Sequence, residues 1–157
     1  MPPIIPRAAL LSLFAFAACA PAPRQSPAPE ARPRAAGETA ALDRMIDETA
    51  KTYGVPASLV HRVVSRESSY NPAARNGPYM GLMQILPQTA RTMGYRGPDR
   101  GLLDAQTNLT YGVKYLRGAW LLSNGNQNTA IMWYSRGYFY EAKRRGMLQL
   151  TGLSSQG

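Results

Sequence analysis

Apolar residues recur every three to four positions along most of the chain beyond residue 38, which is the spacing of one face of an α-helix. The first such stretch follows Thr39, a residue type that caps helix starts, and precedes Gly54, a residue type that ends helices. The pattern therefore predicts a core-facing helix between these two residues. Its stripe consists of Leu42, Met45, Ile46, Thr49, Ala50 and Tyr53.

The same periodicity predicts several further helices. Asp104 is a candidate cap for the longest of them, and Asn128 or Thr129 for the helix after it. Residues 95–101 are predicted to form a loop, and Asn76-Gly77 predicts no hairpin because β-rich flanks are missing. The chain is thus predicted to be mainly α, with about six to seven helices. The helices after the first are expected at 55–66, 87–93, 104–124, 128–134 and 138–145, with another apolar-periodic segment beginning at 82.

Glu67 is the carboxylate with the most informative surroundings. It follows three valines of the second predicted helix at spacings of seven, four and three residues, so it shares their apolar face. Partial desolvation there would raise the pKa of the carboxyl toward the range of a general acid. The competing interpretation is a helix-end carboxylate that points to water or pairs with Arg62 or Arg66.

Several short motifs occur in a fixed order around and after Glu67. They are Glu67-Ser-Ser-Tyr-Asn-Pro72, Gly81-Leu-Met-Gln-Ile85, Asn108-Leu-Thr-Tyr-Gly-Val-Lys-Tyr-Leu116, and Tyr134 with Gly137. Together they closely resemble the soluble lytic transglycosylase family of peptidoglycan-cleaving enzymes, over about residues 55–146. The resemblance implies a single lysozyme-like domain with a substrate cleft.

The resemblance also implies a mechanism with one catalytic residue. Glu67 would protonate the oxygen between N-acetylmuramic acid and N-acetylglucosamine, then act as base on the muramoyl C6 hydroxyl, giving a 1,6-anhydro product without water. We expect the glycan strand of peptidoglycan to be the partner. The residues expected to bind it are Ser68, Tyr79, Met83, Gln84 and Tyr134.

Other carboxylates past Glu67 are weaker candidates: Asp99 lies in a polar loop, Asp104 is a predicted cap, and Glu141 neighbours cations. The chain also departs from the family, since Ser135 replaces the Asn of the Ala-Tyr-Asn-x-Gly motif and residues 75–80 lack the usual Ser and Gly-Ala.

Two alternative functions remain open. One is a lysozyme-type muramidase on the same fold, in which water attacks. The other is a non-catalytic peptidoglycan-binding accessory lipoprotein.

The amino terminus predicts export. Residues 1–18 hold one cation and an apolar run too short to span a bilayer comfortably, which is typical of a signal peptide. Cys19, the only cysteine, ends a segment that looks like a lipobox, with Phe16 in place of the usual Leu or Val. The alternative is a conventional signal peptide with an incidental cysteine.

We expect a lipid-anchored monomer in the cell envelope, facing the periplasm from the outer membrane. Its parts would be a Pro/Ala-rich tether at 19–38 and the catalytic domain at 39–157.

Charge and residue counts narrow the function classes. The net charge of +9 favours anionic envelope polymers as partners. Nucleic acid is opposed by the export signal and by the absence of a DNA- or RNA-binding motif. The sole histidine, His61, receives no role, and neither a metal nor a cofactor is expected.

Overall fold

The computed structural model describes residues 37–153, and this part of the chain is mainly helical, as predicted. The predicted signal peptide, Cys19 and the tether up to residue 36 lie outside it. None of its helices has the length and apolar character needed to cross a membrane. In chain order the elements are α1 (Ala40–Tyr53), α2 (Ala57–Ser68), β1 (Arg75–Asn76), β2 (Tyr79–Met80), α3 (Pro87–Thr92), a 3-10 helix (Asp99–Leu103), α4 (Ala105–Leu122), α5 (Gln127–Arg136) and α6 (Phe139–Arg144).

Local capping signals fix the ends of two helices. The Thr39 hydroxyl accepts a hydrogen bond from the Leu42 N–H at 3.1 Å, and α1 ends at Gly54 in the left-handed conformation, with φ 64°. Asp104 caps α4 by accepting from the Thr107 N–H at 2.8 Å. Both starts agree with the sequence prediction.

The start of α5 was predicted two to three residues too late. Asn126, rather than Asn128 or Thr129, caps this helix, because its side-chain oxygen accepts from the Thr129 N–H at 3.0 Å. All three residue types can cap a helix, and periodicity alone does not separate neighbouring candidates.

The prediction of no hairpin at Asn76-Gly77 was wrong. Strands β1 and β2 pair antiparallel, with Asn76 opposite Tyr79 and Gly77 at φ 56° in the turn. Each strand has only two residues, so no alternation of polar and apolar residues exists to reveal it. A 3-10 helix likewise occupies part of the predicted loop at 95–101.

Helix α4 is the central element of the core. It packs against α1, α3, α5 and the 3-10 helix, and its fully buried side chains include Leu109, Val113 and Leu116. Gly112 allows the segment after β2 to approach the helix closely, since a Cβ there would collide with the sulfur of Met83. The core therefore includes a non-helical segment seated directly on α4.

Asn108 holds that segment in place. Its side chain is fully buried; Oδ1 accepts from the Met83 N–H at 2.8 Å, and Nδ2 donates to the carbonyls of Met80 at 2.8 Å and Leu102 at 2.7 Å. Gly81 has φ 74°, and a Cβ at this position would overlap the Asn108 amide. Residues 82–84, at the start of the segment expected to be apolar-periodic, are therefore a turn anchored to α4.

The folded part includes the end of the predicted tether. The Glu38 side chain is buried, with Oε1 3.3 Å from His61 Nδ1, while His61 Nε2 lies 3.4 Å from Asp47 Oδ1. His61, to which the sequence assigned no role, thus connects α2 to α1 and to the residue that precedes the Thr39 cap.

We predict that Asn108→Ala lowers the free energy of unfolding by at least about 3 kcal/mol. The Met83 N–H and the Leu102 carbonyl lose this partner, at roughly 1–3 kcal/mol for each unsatisfied buried group. The Met80 carbonyl still accepts from the Ile85 N–H, so its lost bond costs only about 0.5–1.5 kcal/mol more. The matched control is Asn128→Ala, which removes an exposed amide bonded to Arg62 and should cost less than about 1 kcal/mol. Urea unfolding measures both, and equal losses would contradict the anchoring role.

Candidate active site

Glu67 lies in the last turn of α2, at the wall of a depression of about 300 Å³. Its side chain is 23% exposed. Val60, Val63 and Val64 are buried on the same helix, so the face that sinks α2 into the core also draws Glu67 partly out of water. The placement on an apolar face agrees with the sequence prediction.

Two opposing effects set the proton affinity of Glu67. Burial raises the pKa of its carboxyl, while the Arg66 guanidinium lowers it; the net result is a pKa above the usual value. Arg66 Nε lies 3.3 Å from Glu67 Oε1, and Arg66 Nη2 donates to Ser135 Oγ at 2.6 Å. The ion pair considered in the competing interpretation therefore exists, but desolvation outweighs it.

A second depression of about 300 Å³ adjoins the first, and the two together are called the cleft below. The residues common to both are Tyr79, Gln84, Tyr134 and Ser135. Within the described part of the chain, Glu67 is the only carboxylate residue that lines the cleft. Any proton transfer by a carboxyl in this cleft therefore falls to Glu67.

Gln84 forms part of the cleft wall in a constrained conformation. Its backbone has φ 46°, a left-handed value that is uncommon outside glycine. The side-chain amide Nε2 donates to the carbonyls of Gly81 at 2.8 Å and Ala74 at 3.2 Å. Both amide protons therefore stay on the protein, and Oε1 has no hydrogen-bond partner among residues 37–153.

Tyr134 and Tyr79 also line the cleft, as the prediction of substrate-binding residues requires of them. The Tyr134 hydroxyl donates to the Met83 carbonyl at 2.7 Å. Burial, and after it the charge of Glu67, raises the pKa of Tyr134 well above its usual value, so the phenol stays protonated. Tyr79 is 43% exposed on β2, which leaves its ring accessible from solvent.

The structure places Ser68 and Met83 behind the cleft rather than on it. Ser68 Oγ donates to the Leu82 carbonyl at 2.8 Å, tying the end of α2 to the turn after β2. The Met83 side chain is fully buried. Neither residue lines the cleft, and both hold the turn that carries Gln84.

Two contributors to the site were missed by sequence reasoning. Asn108 stood within a quoted motif, but its contacts span 25 residues to Met83 and are invisible to local patterns. The link from Arg66 to Ser135 spans 69 residues. Ser135, noted only as a departure from the family, lies on the cleft and bonds to the cation beside Glu67.

The other acids considered in the sequence have different partners. Asp99 forms an ion pair with Arg91, and Asp104 caps α4. Hydrogen bonds from Arg144 and Arg145 lower the pKa of Glu141 to about 2, so this carboxylate is ionised and unsuited to donate a proton. None of the three lines the cleft.

One group of side chains outside the cleft has the donor types of a cation site. Glu38, Asp43 and His61 each place one potential ligand atom within 4.8 Å of the others. The contacts of His61 with Glu38 and Asp47 give two of these residues, Glu38 and His61, a structural role. The cleft itself is lined by no histidine or cysteine within residues 37–153.

Residues 44–149 match the family model described as Transglycosylase SLT domain, and the chain belongs to this family. It is 35% identical to membrane-bound lytic murein transglycosylase C of Haemophilus influenzae strain PittEE over 88 residues. It is 36% identical to the protein of the same name from Cronobacter sakazakii over 80 residues. These alignments cover 51% and 46% of this chain but only 24% and 22% of the relatives.

Comparison with solved structures shows that the fold is also that of a lytic transglycosylase domain. The 70-kDa soluble lytic transglycosylase in complex with bulgecin A superimposes with a TM-score of 0.57 and 26% identity, over 69% of this chain and 18% of that chain. The 70-kDa soluble lytic transglycosylase SLT70 from Escherichia coli gives the same TM-score of 0.57 at 24% identity. The predicted lysozyme-like fold is confirmed.

We predict that Arg66→Gln raises the pKa of Glu67 further, because it removes the cation that favours the ionised carboxylate. The carboxyl carbon chemical shift followed by NMR across a pH titration measures this value directly. The matched control is Arg62→Gln, which also removes one positive charge from α2. Arg62 donates to Gln127 and Asn128 rather than contacting Glu67. Equal shifts in both variants would show that overall charge, rather than the Arg66 contact, sets the pKa.

Proposed function

We propose that this protein is a peptidoglycan lytic transglycosylase that cleaves the β-1,4 bond between N-acetylmuramic acid and N-acetylglucosamine. The observation that carries the proposal is that Glu67 is the one carboxylate of residues 37–153 that lines the cleft, where its pKa is raised. A group that must first give and later take a proton works best when its pKa lies nearer to neutrality. Family membership supports the same reaction class.

The proposed reaction needs one carboxyl and no water. Protonated Glu67 gives its proton to the glycosidic oxygen as the bond from that oxygen to C1 of the muramoyl sugar breaks. The N-acetyl group of the same sugar stabilises the positive charge that develops at C1. The Glu67 carboxylate then takes the proton of the C6 hydroxyl, and O6 bonds to C1. The product is a 1,6-anhydro sugar, and Glu67 is again protonated.

The other cleft residues are proposed to position the strand. Gln84 offers Oε1 as an acceptor for a sugar hydroxyl or amide, and the exposed ring of Tyr79 offers a stacking face. The Tyr134 hydroxyl, which donates to Met83, keeps acceptor capacity toward the substrate. Ser68 and Met83, expected to bind substrate, are proposed to act through the turn they hold.

We predict that Glu67→Gln abolishes turnover while the fold survives. An amide of the same shape neither gives nor takes a proton, and acid-base catalysis contributes roughly 10²–10⁴-fold. Burial raises the pKa of Glu67 in the folded protein above its value in the unfolded chain. The carboxyl therefore stabilises the fold fully at a pH below the unfolded-state pKa, and this stabilisation is lost as the pH rises through the folded-state pKa. The variant should therefore melt at the same or a higher temperature at neutral pH, with no gain in acid.

Mass spectrometry of muropeptides released from purified sacculi is the measurement. Asp99→Asn, which removes a carboxylate paired with Arg91 outside the cleft, is the matched control and should retain activity. Anhydro products from the Glu67→Gln variant would assign the chemistry to another carboxylate. Products heavier by one water from the wild type would indicate a muramidase, and binding without any cleavage an accessory protein.

We predict that Tyr134→Phe lowers activity more than its effect on folding explains. The Met83 carbonyl loses its buried partner, which costs about 1–3 kcal/mol and loosens the turn that carries Gln84. Tyr138→Phe is the matched control, because its buried hydroxyl donates to the Tyr115 carbonyl at the same 2.7 Å but does not line the cleft. If the two variants lost the same activity at the same melting temperature, the Tyr134 hydroxyl would have only a structural role in the core.

Envelope localisation through a lipid on Cys19 is proposed for the mature protein, with residues 19–38 as spacer and the outer membrane as the anchor site. The apolar run that leads directly into Cys19 supports it, as do relatives whose names include membrane-bound. We propose that it acts there as a monomer.

We predict that Cys19→Ala releases the protein into the soluble envelope fraction, since the acyl chains would no longer attach. Cell fractionation followed by mass analysis of the amino terminus tests this. An unmodified amino terminus on the wild-type protein would contradict the proposed lipid anchor and leave the catalytic proposal intact.

A further inference from the structure

A third depression, of about 470 Å³, lies at the contact of α5 with α6. Three aromatic residues line it: Trp133, Phe139 and Tyr140. Tyr140 is 84% exposed and Phe139 39%. Clustered aromatic rings left open to solvent are typical of binding surfaces, and flat ring faces suit stacking against sugars.

This aromatic depression adjoins the cleft. Arg136 and Gly137 line both of them, so the two meet at the carboxyl end of α5. Gly137 has φ 79°, a conformation that favours glycine, and it has no side chain to project between the two depressions. A ligand that extends between the two depressions would therefore meet no side chain at position 137.

The charge at the junction is unbalanced. Arg144 and Arg145 both bond to Glu141, with contacts of 2.6–2.9 Å, so these two guanidinium groups already contact an anion. Arg136 is exposed at the end of α5, and its guanidinium has no hydrogen bond or ion pair within residues 37–153. A carboxylate is the ligand group that complements an exposed guanidinium best.

We propose that the aromatic depression is an additional binding site for the same glycan strand, and that Arg136 binds a carboxylate of the peptide attached to it. This inference rests on the proposed function and names a specificity determinant for it. Phe139 and Tyr140 pack edge to face, and the more exposed Tyr140 ring offers the face that holds a saccharide beyond the cleaved bond. The enzyme therefore favours long, peptide-bearing strands over short or peptide-free ones.

Steady-state kinetics of the mature protein on three substrates tests this: long peptide-bearing strands, the same strands freed of peptide by an amidase, and short peptide-bearing fragments. Arg136→Gln should raise KM about tenfold on the first and leave the other two unchanged, as expected for one charge-assisted hydrogen bond. Tyr140→Ala should raise KM on both long substrates, with kcat unchanged. Lys143→Gln, an exposed charge of α6 outside the depression, is the matched control and should change nothing.

Unchanged KM for both variants on long strands, with cleavage by the wild type intact, would overturn the site and leave the proposed function standing. No cleavage of any strand by the wild type would instead overturn the function. A loss of binding to anionic phospholipid vesicles, with strand kinetics unchanged, would make the patch a membrane contact and also overturn the proposal. Thermal melting confirms that the exposed substitutions leave the fold intact.

Discussion

The three buried hydrogen bonds of the Asn108 side chain are the constraint on which the cleft depends. Two of them attach the segment from Met80 to Met83 to α4, and the third binds the Leu102 carbonyl of the 3-10 helix. Of this segment only Met80 belongs to a strand, β2, so the residues after it have no regular secondary structure of their own. With the segment fixed, the Met83 carbonyl stands where Tyr134 bonds to it, and Gln84 is held at the cleft wall. Since Asn108 uses both its donor and its acceptor capacity, no substitution reproduces all three bonds.

Glu67 shows how a core-forming helix places a partly desolvated carboxyl at the wall of the cleft. The valines that bury α2 also shield the carboxyl, and Arg66 limits how far the pKa rises. Ser135 bonds to the same guanidinium, so the residue that replaces the family's Asn belongs to the electrostatic surroundings of the acid.

The sequence predicted those features that depend on local chemistry. Helix α1 was predicted together with both of its ends, because Thr39 and Gly54 act on their immediate neighbours. The hairpin at Asn76 was missed because its strands are too short to form a pattern. Ser68 and Met83 were predicted as binding residues from a motif, yet their hydrogen bonds and packing depend on tertiary contacts that no local pattern shows.

Gln84 has a consequence for the chemical state of the substrate. Because both of its amide protons are committed to backbone oxygens, the side chain presents only an acceptor to whatever occupies the cleft. A sugar hydroxyl or an amide N–H satisfies it, whereas an ester oxygen at the same place would be repelled. A strand whose hydroxyls have been acylated would therefore be discriminated against by the polarity of one fixed oxygen, without any steric barrier.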